Sequence, residues 1–208
     1  MNKPSSMREL EELGRVRLSE HFFMREMLYS EIANFHGLSN IPNDPDLAIT
    51  AGTALCERLL EPLYRTFGHV SIRSAFRSEE VNEYGAVRIA RGYGCGPTQW
   101  NFSRHIWDRR DEAGYLGATA CIVLPWFVTR YKRGTPWQAL AWWIHDNLPY
   151  SHLAFYPNYA AFNIQWHETP VRRIDSYKLE PEGCLTAPGM RNHSGDHGHE
   201  YPDFPKLC

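Results

Sequence analysis

The sequence has no apolar run that approaches the roughly 18 residues of a membrane helix, so a membrane partner is not expected. It has no excess of one charge either. Its 22 Lys and Arg face 24 Asp and Glu for a net charge of −2, without long runs of either sign. That leaves no electrostatic footprint for nucleic acid or an anionic lipid surface, and a small molecule or a peptide is the expected partner. The five cysteines, Cys56, Cys95, Cys121, Cys184 and Cys208, are odd in number and lack CxxC spacing, which argues against a disulfide scaffold and a zinc ribbon. The start runs into charged Arg8-Glu9-Leu10-Glu11-Glu12 and not into a signal-peptide core, so a cytoplasmic chain is expected. No internal repeat is present.

What is there suits one domain: 208 residues can bury a sizeable core, and two full domains would be cramped. Much of the aromatic content, including several of the seven Trp, lies between Trp100 and Trp166, where rings serve as core or pocket wall. Residues 1–17 read as a polar, partly helical lead. Phe22 to Phe35 has apolar residues at helical spacing and is stopped by Gly37. Asp44-Pro45 offers an N-cap with Pro at the first helical position, and Leu47, Ala51, Leu55 and Leu59 predict a long amphipathic helix to about Phe67 that packs on a sheet. Strands are predicted for His69–Arg73, Thr119–Leu124 (ended by Pro125), His152–Tyr156 and Phe162–His167, the last two joined as a hairpin through Pro157-Asn158-Tyr159. Helices are predicted from Glu79, and from a capping box at Thr135-Pro136-Trp137-Gln138 through His145. Gly92–Pro97 reads as loop. After Pro170 periodicity is lost, so 171–208 is expected as an irregular tail, rich in His, Pro and Gly, beside a domain at 18–170. His193, His197 and His199 in that tail offer closely spaced imidazoles that can hold metal, by design or adventitiously.

Three segments carry chemistry: Ser103-Arg104-His105, Gly117 to Val123 with Cys121, and Phe162 to His167. Each sets a His or Cys at the edge of an apolar strand, where a small sheet enzyme can hold zinc with two or three side chains and leave a position for water. In an extended strand Asn163, Gln165 and His167 share one face and Phe162, Ile164 and Trp166 the other, so the polar set is expected in a cleft and the apolar set in the core.

With Leu18-Ser19-Glu20-His21-Phe22, Arg25-Glu26 and Ser74-Ala75-Phe76-Arg77-Ser78, these segments make residues 18 to 168 similar to the zinc D-alanyl-D-alanine carboxypeptidases and dipeptidases, metallopeptidases with a hedgehog-like fold. The resemblance implies an α+β fold, a small antiparallel sheet with helices packed on one face, and a metal-dependent hydrolase acting on a peptide or amide, possibly of peptidoglycan type. It implies zinc on His105, Cys121 and His167, with iron or another divalent ion as the alternative. Arg77 then contacts the substrate, and Ser103, Trp107, Asn163 and Gln165 line its cleft.

The chain departs from the family pattern in three places. Eleven residues, Ile106 to Leu116, stand where the family has two between His and Gly. The family's aspartate ligand falls on Cys121, which can be a thiolate ligand or a small apolar strand residue, leaving Asp108 or Asp111 as the carboxylate. The family's glutamate falls on Ile164, which accepts no proton, so Glu168 or Asp108 must serve as base if peptides are hydrolysed. Otherwise the fold serves biosynthetic or redox chemistry, or it is a non-catalytic binding module.

Overall fold

The computed structural model describes residues 1–87 and 94–208. Its longest helical feature starts where the sequence places it. Asp44 caps α4 (Pro45–Leu55), its side chain accepting from the Leu47 N–H at 3.1 Å, and Pro45 occupies the first turn. A π turn at Cys56–Leu60 leads into α5 (Glu61–Phe67), and Gly68, at φ 80°, ends the run. Ala48, Ala51, Leu55, Leu59 and Leu63 are fully buried along one side, which lies on the sheet.

That sheet has six strands in the order β1-β2-β4-β3-β5-β6: β1 (Ser71–Ser74), β2 (Gly117–Val123), β3 (His152–Phe155), β4 (Phe162–His167), β5 (Arg173–Ser176) and β6 (Gly183–Thr186). All pairs are antiparallel except β3 with β5. The architecture is thus α+β, as expected. Because strand side chains alternate between faces, one face collects Ala118, Ala120, Ile122, Leu153, Phe155, Phe162, Ile164 and Ile174, all fully buried. Burying eight such side chains supplies a large part of the drive to fold, at about 25 cal/mol per Å² of apolar surface. The other face is polar and carries the cleft described below.

Several elements differ from expectation. The Phe22–Phe35 stretch is two helices, α2 (Met24–Met27) and α3 (Glu31–His36), because the Ser30 side chain caps α3 by accepting from the Ala33 N–H; Gly37, at φ 66°, ends α3 as predicted. β1 begins two residues after His69, and α6 (Glu79–Val87) starts where predicted. The predicted Gly92–Pro97 loop lies partly outside the described residues, and 94–97 have no regular structure. Pro125 does not merely end β2 but opens a helix, α7 (Pro125–Lys132). Helix α8 (Trp137–Asn147) starts on Pro136 without a side-chain cap, so the expected capping box is not formed. The lead holds α1 (Met7–Gly14), with Leu13 buried, and its amino terminus lies 2.6 Å from Asp46.

The largest difference is the tail. It supplies β5 and β6 to the sheet, and beyond them it crosses α8, where the Trp143 indole N–H donates to the Pro205 carbonyl at 2.8 Å. Among the described residues no helix is long and apolar enough to cross a membrane.

Candidate functional site

The polar face is organised in rows by strand register. Cys121 on β2 faces Asn163 on β4, which faces Ala154 on β3, which faces Asp175 on β5. The next row is Thr119, Gln165, His152 and Arg173, and the one after it pairs Gly117 with His167. A cavity of about 460 Å³ opens over the first two rows, walled by Trp100, Asn101, Arg104 and His105. A second, of about 580 Å³, lies beyond the shared Arg104 and Trp100 over Gln165 and His167.

His105 is 5 % exposed. Its Nδ1 lies 2.9 Å from the Ala75 carbonyl, an acceptor, so Nδ1 carries the hydrogen and Nε2 keeps a lone pair. Among the described residues that buried Nε2 has no hydrogen-bond partner, and His105 lines the first cavity. Burial, and then the charge of Arg77, hold the imidazole pKa well below its ordinary value. Cys121 lines the same cavity, with burial pushing its thiol pKa up.

Arginine dominates the walls. Arg73 is exposed at the mouth; Arg77 donates through Nη1 to Asn82 Oδ1 at 3.2 Å and to Cys95 Sγ at 3.2 Å. The Arg104 guanidinium lies 4.2 Å from the Trp100 ring centroid, a cation–π contact. Tyr156 and Tyr177 stack with centroids 5.6 Å apart, and the Asn163 amide donates to the Tyr156 hydroxyl at 3.2 Å. His152 Nε2 lies 2.7 Å from Asp175 Oδ2, and Arg173 grips the same carboxylate through two bonds of 2.7 Å. These contacts hold the Asp175 pKa down to about 2 against its burial. Among the described residues no carboxylate lines the first cavity.

The expected site residues therefore divide. Arg77, His105, Cys121 and Asn163 share the first cavity. His167 does not: four residues along β4 place its Cα about 13 Å from that of Asn163, and its Nε2 lies 3.1 Å from Asp111 Oδ2 in the second cavity, with Ser103 and Gln165. Ser103 is 1 % exposed and its hydroxyl donates to the Tyr115 carbonyl at 2.6 Å, which knots the loop. Trp107 is fully buried in the core, its indole N–H directed to the Thr119 carbonyl at 3.2 Å. Asp108 turns away from both cavities and accepts from the Asn43 N–H at 2.6 Å and the Asp44 N–H at 3.3 Å. Glu168 accepts from the Leu116 N–H at 2.7 Å and lines neither cavity.

These positions fit a three-ligand zinc centre poorly. His105 Nε2 is in the ligand tautomer and Cys121 can give a thiolate, but the residue opposite Cys121 is Asn163, a weak donor. Among the described residues, the triads of ligating side chains within 4.8 Å of one another are His145–Asp146–His197 and Glu20–His21–Glu61, both elsewhere. An iron site of two His and one carboxylate lacks its carboxylate here.

Sequence reasoning missed Arg73, Arg104, Trp100, Tyr156, Tyr177 and the His152–Asp175 pair. A signal existed for two of them: period-2 alternation places His152 on the face of Ala154, and Arg104 lies inside the Ser103–His105 segment. No family model matches the chain, and comparison with curated proteins and with solved structures likewise finds no match, so the likeness to zinc peptidases rests on the short motifs alone.

Proposed function

We propose that the chain is a binding protein whose cleft takes up a small anionic ligand, a carboxylate borne by a small molecule or a peptide. The observation that carries this reading is the lining of the first cavity: Arg73, Arg77 and Arg104, with the hydroxyls of Tyr156 and Thr119, and no acidic residue among those described. Guanidinium forks match carboxylates in shape and charge. The unpaired Nε2 of His105 adds a requirement. A buried acceptor without a donor costs about 1–3 kcal/mol, so a ligand carrying an O–H or N–H beside its carboxylate binds better than the carboxylate alone. Hydroxy acids, amino acids and peptide C-termini all have this pair of groups.

Zinc-dependent peptide hydrolysis is the second reading. In its favour is the His105 tautomer, with Nδ1–H on a backbone carbonyl as in metal-ligating histidines. Against it stands that neither candidate base lines the cavity: Glu168 and Asp108 each commit one oxygen to backbone N–H groups elsewhere, and among the described residues no other carboxylate lines it.

Titration of the ¹⁵N-labelled protein with succinate, lactate and N-acetyl-alanine tests the first reading. Saturable shifts at Arg77 and Arg104 are expected, weakened about tenfold or more by Arg77→Gln and reduced by salt. No saturable shift, or equal binding by an Arg77→Gln/Arg104→Gln double variant, refutes it. Stoichiometric zinc that is lost in His105→Ala, together with cleavage of a D-alanyl dipeptide, transfers the assignment to the hydrolase.

A further inference from the structure

The tail crosses α8 at a cluster of imidazoles that lines a different cavity from the arginine cleft in the sheet. His145 and His197 are 5 % and 7 % exposed, and with Asp146 they bring ligating atoms within 4.8 Å of one another. A cavity of about 410 Å³ opens beside them, lined also by His193, Asp196 and Arg172, whose guanidinium donates to the His145 carbonyl. Each buried imidazole is held at Nδ1: His145 by the Tyr150 hydroxyl at 2.6 Å, and His197 by Asp146 Oδ1 at 2.7 Å, with the ring stacked on Trp142. Each points Nε2 at the same short stretch of tail, His145 at the His193 carbonyl (2.9 Å) and His197 at the Asn192 carbonyl (3.0 Å). A metal-ligating histidine has this pattern, one nitrogen anchored by a hydroxyl, carboxylate or carbonyl and the other facing inward.

We propose that this junction is a binding site for a divalent transition-metal ion, with His145 and His197 as Nε2 ligands and His193 closing it from the rim. Two imidazoles on one tetrahedral ion at Zn–N of about 2.0–2.1 Å set their ring centroids roughly 5 Å apart. Here His145 and His197 are 5.5 Å apart, and His145 and His193 are 5.0 Å apart. On binding, His197 gives up its Nε2 hydrogen as a proton and keeps its Nδ1–H on Asp146, while His145 exchanges its Nε2 hydrogen for one on Nδ1, toward which the Tyr150 hydroxyl turns as acceptor; the carbonyls of Asn192 and His193 turn to solvent or to the ion. Imidazole donors select zinc, copper or nickel over magnesium or calcium. Bound metal then pins the tail to α8, as structural sites fix segments that do not hold themselves.

Isothermal titration of the full chain with zinc chloride, and with magnesium as control, tests the proposal. One equivalent of zinc is expected, with affinity at least tenfold weaker in His145→Gln and in His197→Gln. Affinity should be unchanged in His199→Gln, whose ring lies outside the cluster, and in His105→Gln, which removes the donor in the arginine cleft. Melting temperature should rise by about 5–11 °C at a hundredfold excess over Kd, and amides of 192–201 should exchange more slowly. Circular dichroism confirms that each variant is folded. No stoichiometric binding overturns the proposal. So does equal loss in His199→Gln, which marks an adventitious tail site, and so does loss in His105→Gln, which moves the metal to the cleft.

Discussion

Replacing Asp108 by Ala separates a structural role from a catalytic one. The side chain is 1 % exposed, and one oxygen accepts the N–H groups of Asn43 and Asp44 ahead of α4. The 2.6 Å bond to Asn43 has a charged acceptor, and such bonds are worth about 1.5–3 kcal/mol. The 3.3 Å bond to Asp44 adds less. Against this, the buried second oxygen has no partner among the described residues and burial raises the Asp108 pKa, so removing the carboxylate also removes an unfavourable charge. The net expectation is a loss of about 2 kcal/mol, a fall in Tm of about 4–8 °C for a chain of this size, read by differential scanning fluorimetry and urea unfolding. Asp108→Asn, which keeps an acceptor facing Asn43 and carries no charge, should stay within about 1 kcal/mol of the parent. The pH dependence has a definite sign. A carboxyl whose folded pKa is raised favours the folded state most below its unfolded value, and that contribution is lost as pH rises through the folded pKa. Asp108→Asn should therefore gain on the parent as pH rises above about 4. Carboxylate binding should not change in either variant. If Asp108→Ala melts normally but binds succinate or lactate more than tenfold worse, the reasoning fails and Asp108 belongs to the site.

Two further outcomes follow from the packing. Asp175, held to about pKa 2 by His152 and Arg173 against an ordinary 3.8, should contribute about 2 kcal/mol that is present above pH 4 and lost as pH falls toward 2; His152→Gln should flatten that part of an acid-unfolding curve, and an unchanged curve would exclude the pair as its source. Gly117→Ala should cost more than about 3 kcal/mol or abolish folding, since a Cβ there would collide with the Ser103 carbonyl and lie 2.6 Å from His167 Cδ2; a soluble variant with parental Tm would show that the Ser103 loop can move off β2.

How much of this was legible in the sequence depends on how local each cause is. The α4–α5 run was legible because its start needs only Asp44 and Pro45, and its buried side recurs at Ala51, Leu55 and Leu59. The facing of β4 was legible because alternation is a property of one strand. Its partner was not. That Cys121 meets Asn163 and not His167 is a matter of register between β2 and β4, fixed by the apolar face as a whole. The split at Ser30 turned on one hydroxyl cap, a signal present in the sequence but outweighed by the apolar spacing around it. β5 escaped because it alternates the polar Arg173 and Asp175 with the buried Ile174 and Ser176, so the run holds one apolar residue. The arginine wall was invisible for a different reason: Arg73, Arg77 and Arg104 come from separate segments and converge only when the sheet is built.

The parallel seam between β3 and β5 has a consequence for how the chain leaves the ribosome. An antiparallel hairpin such as β3–β4 can close as soon as both arms have emerged. β5 has to wait until β4 has turned back on itself before it can dock along the free edge of β3, and it brings Asp175, with Tyr177 just beyond. Until then the nascent chain displays the floor of the cleft and the guanidiniums of one wall with no opposite bank. If the cleft takes up an anion as proposed, a stalled chain that ends before residue 173 keeps Arg73, Arg77 and Arg104 but lacks Tyr177, and should bind that anion more weakly than the full chain.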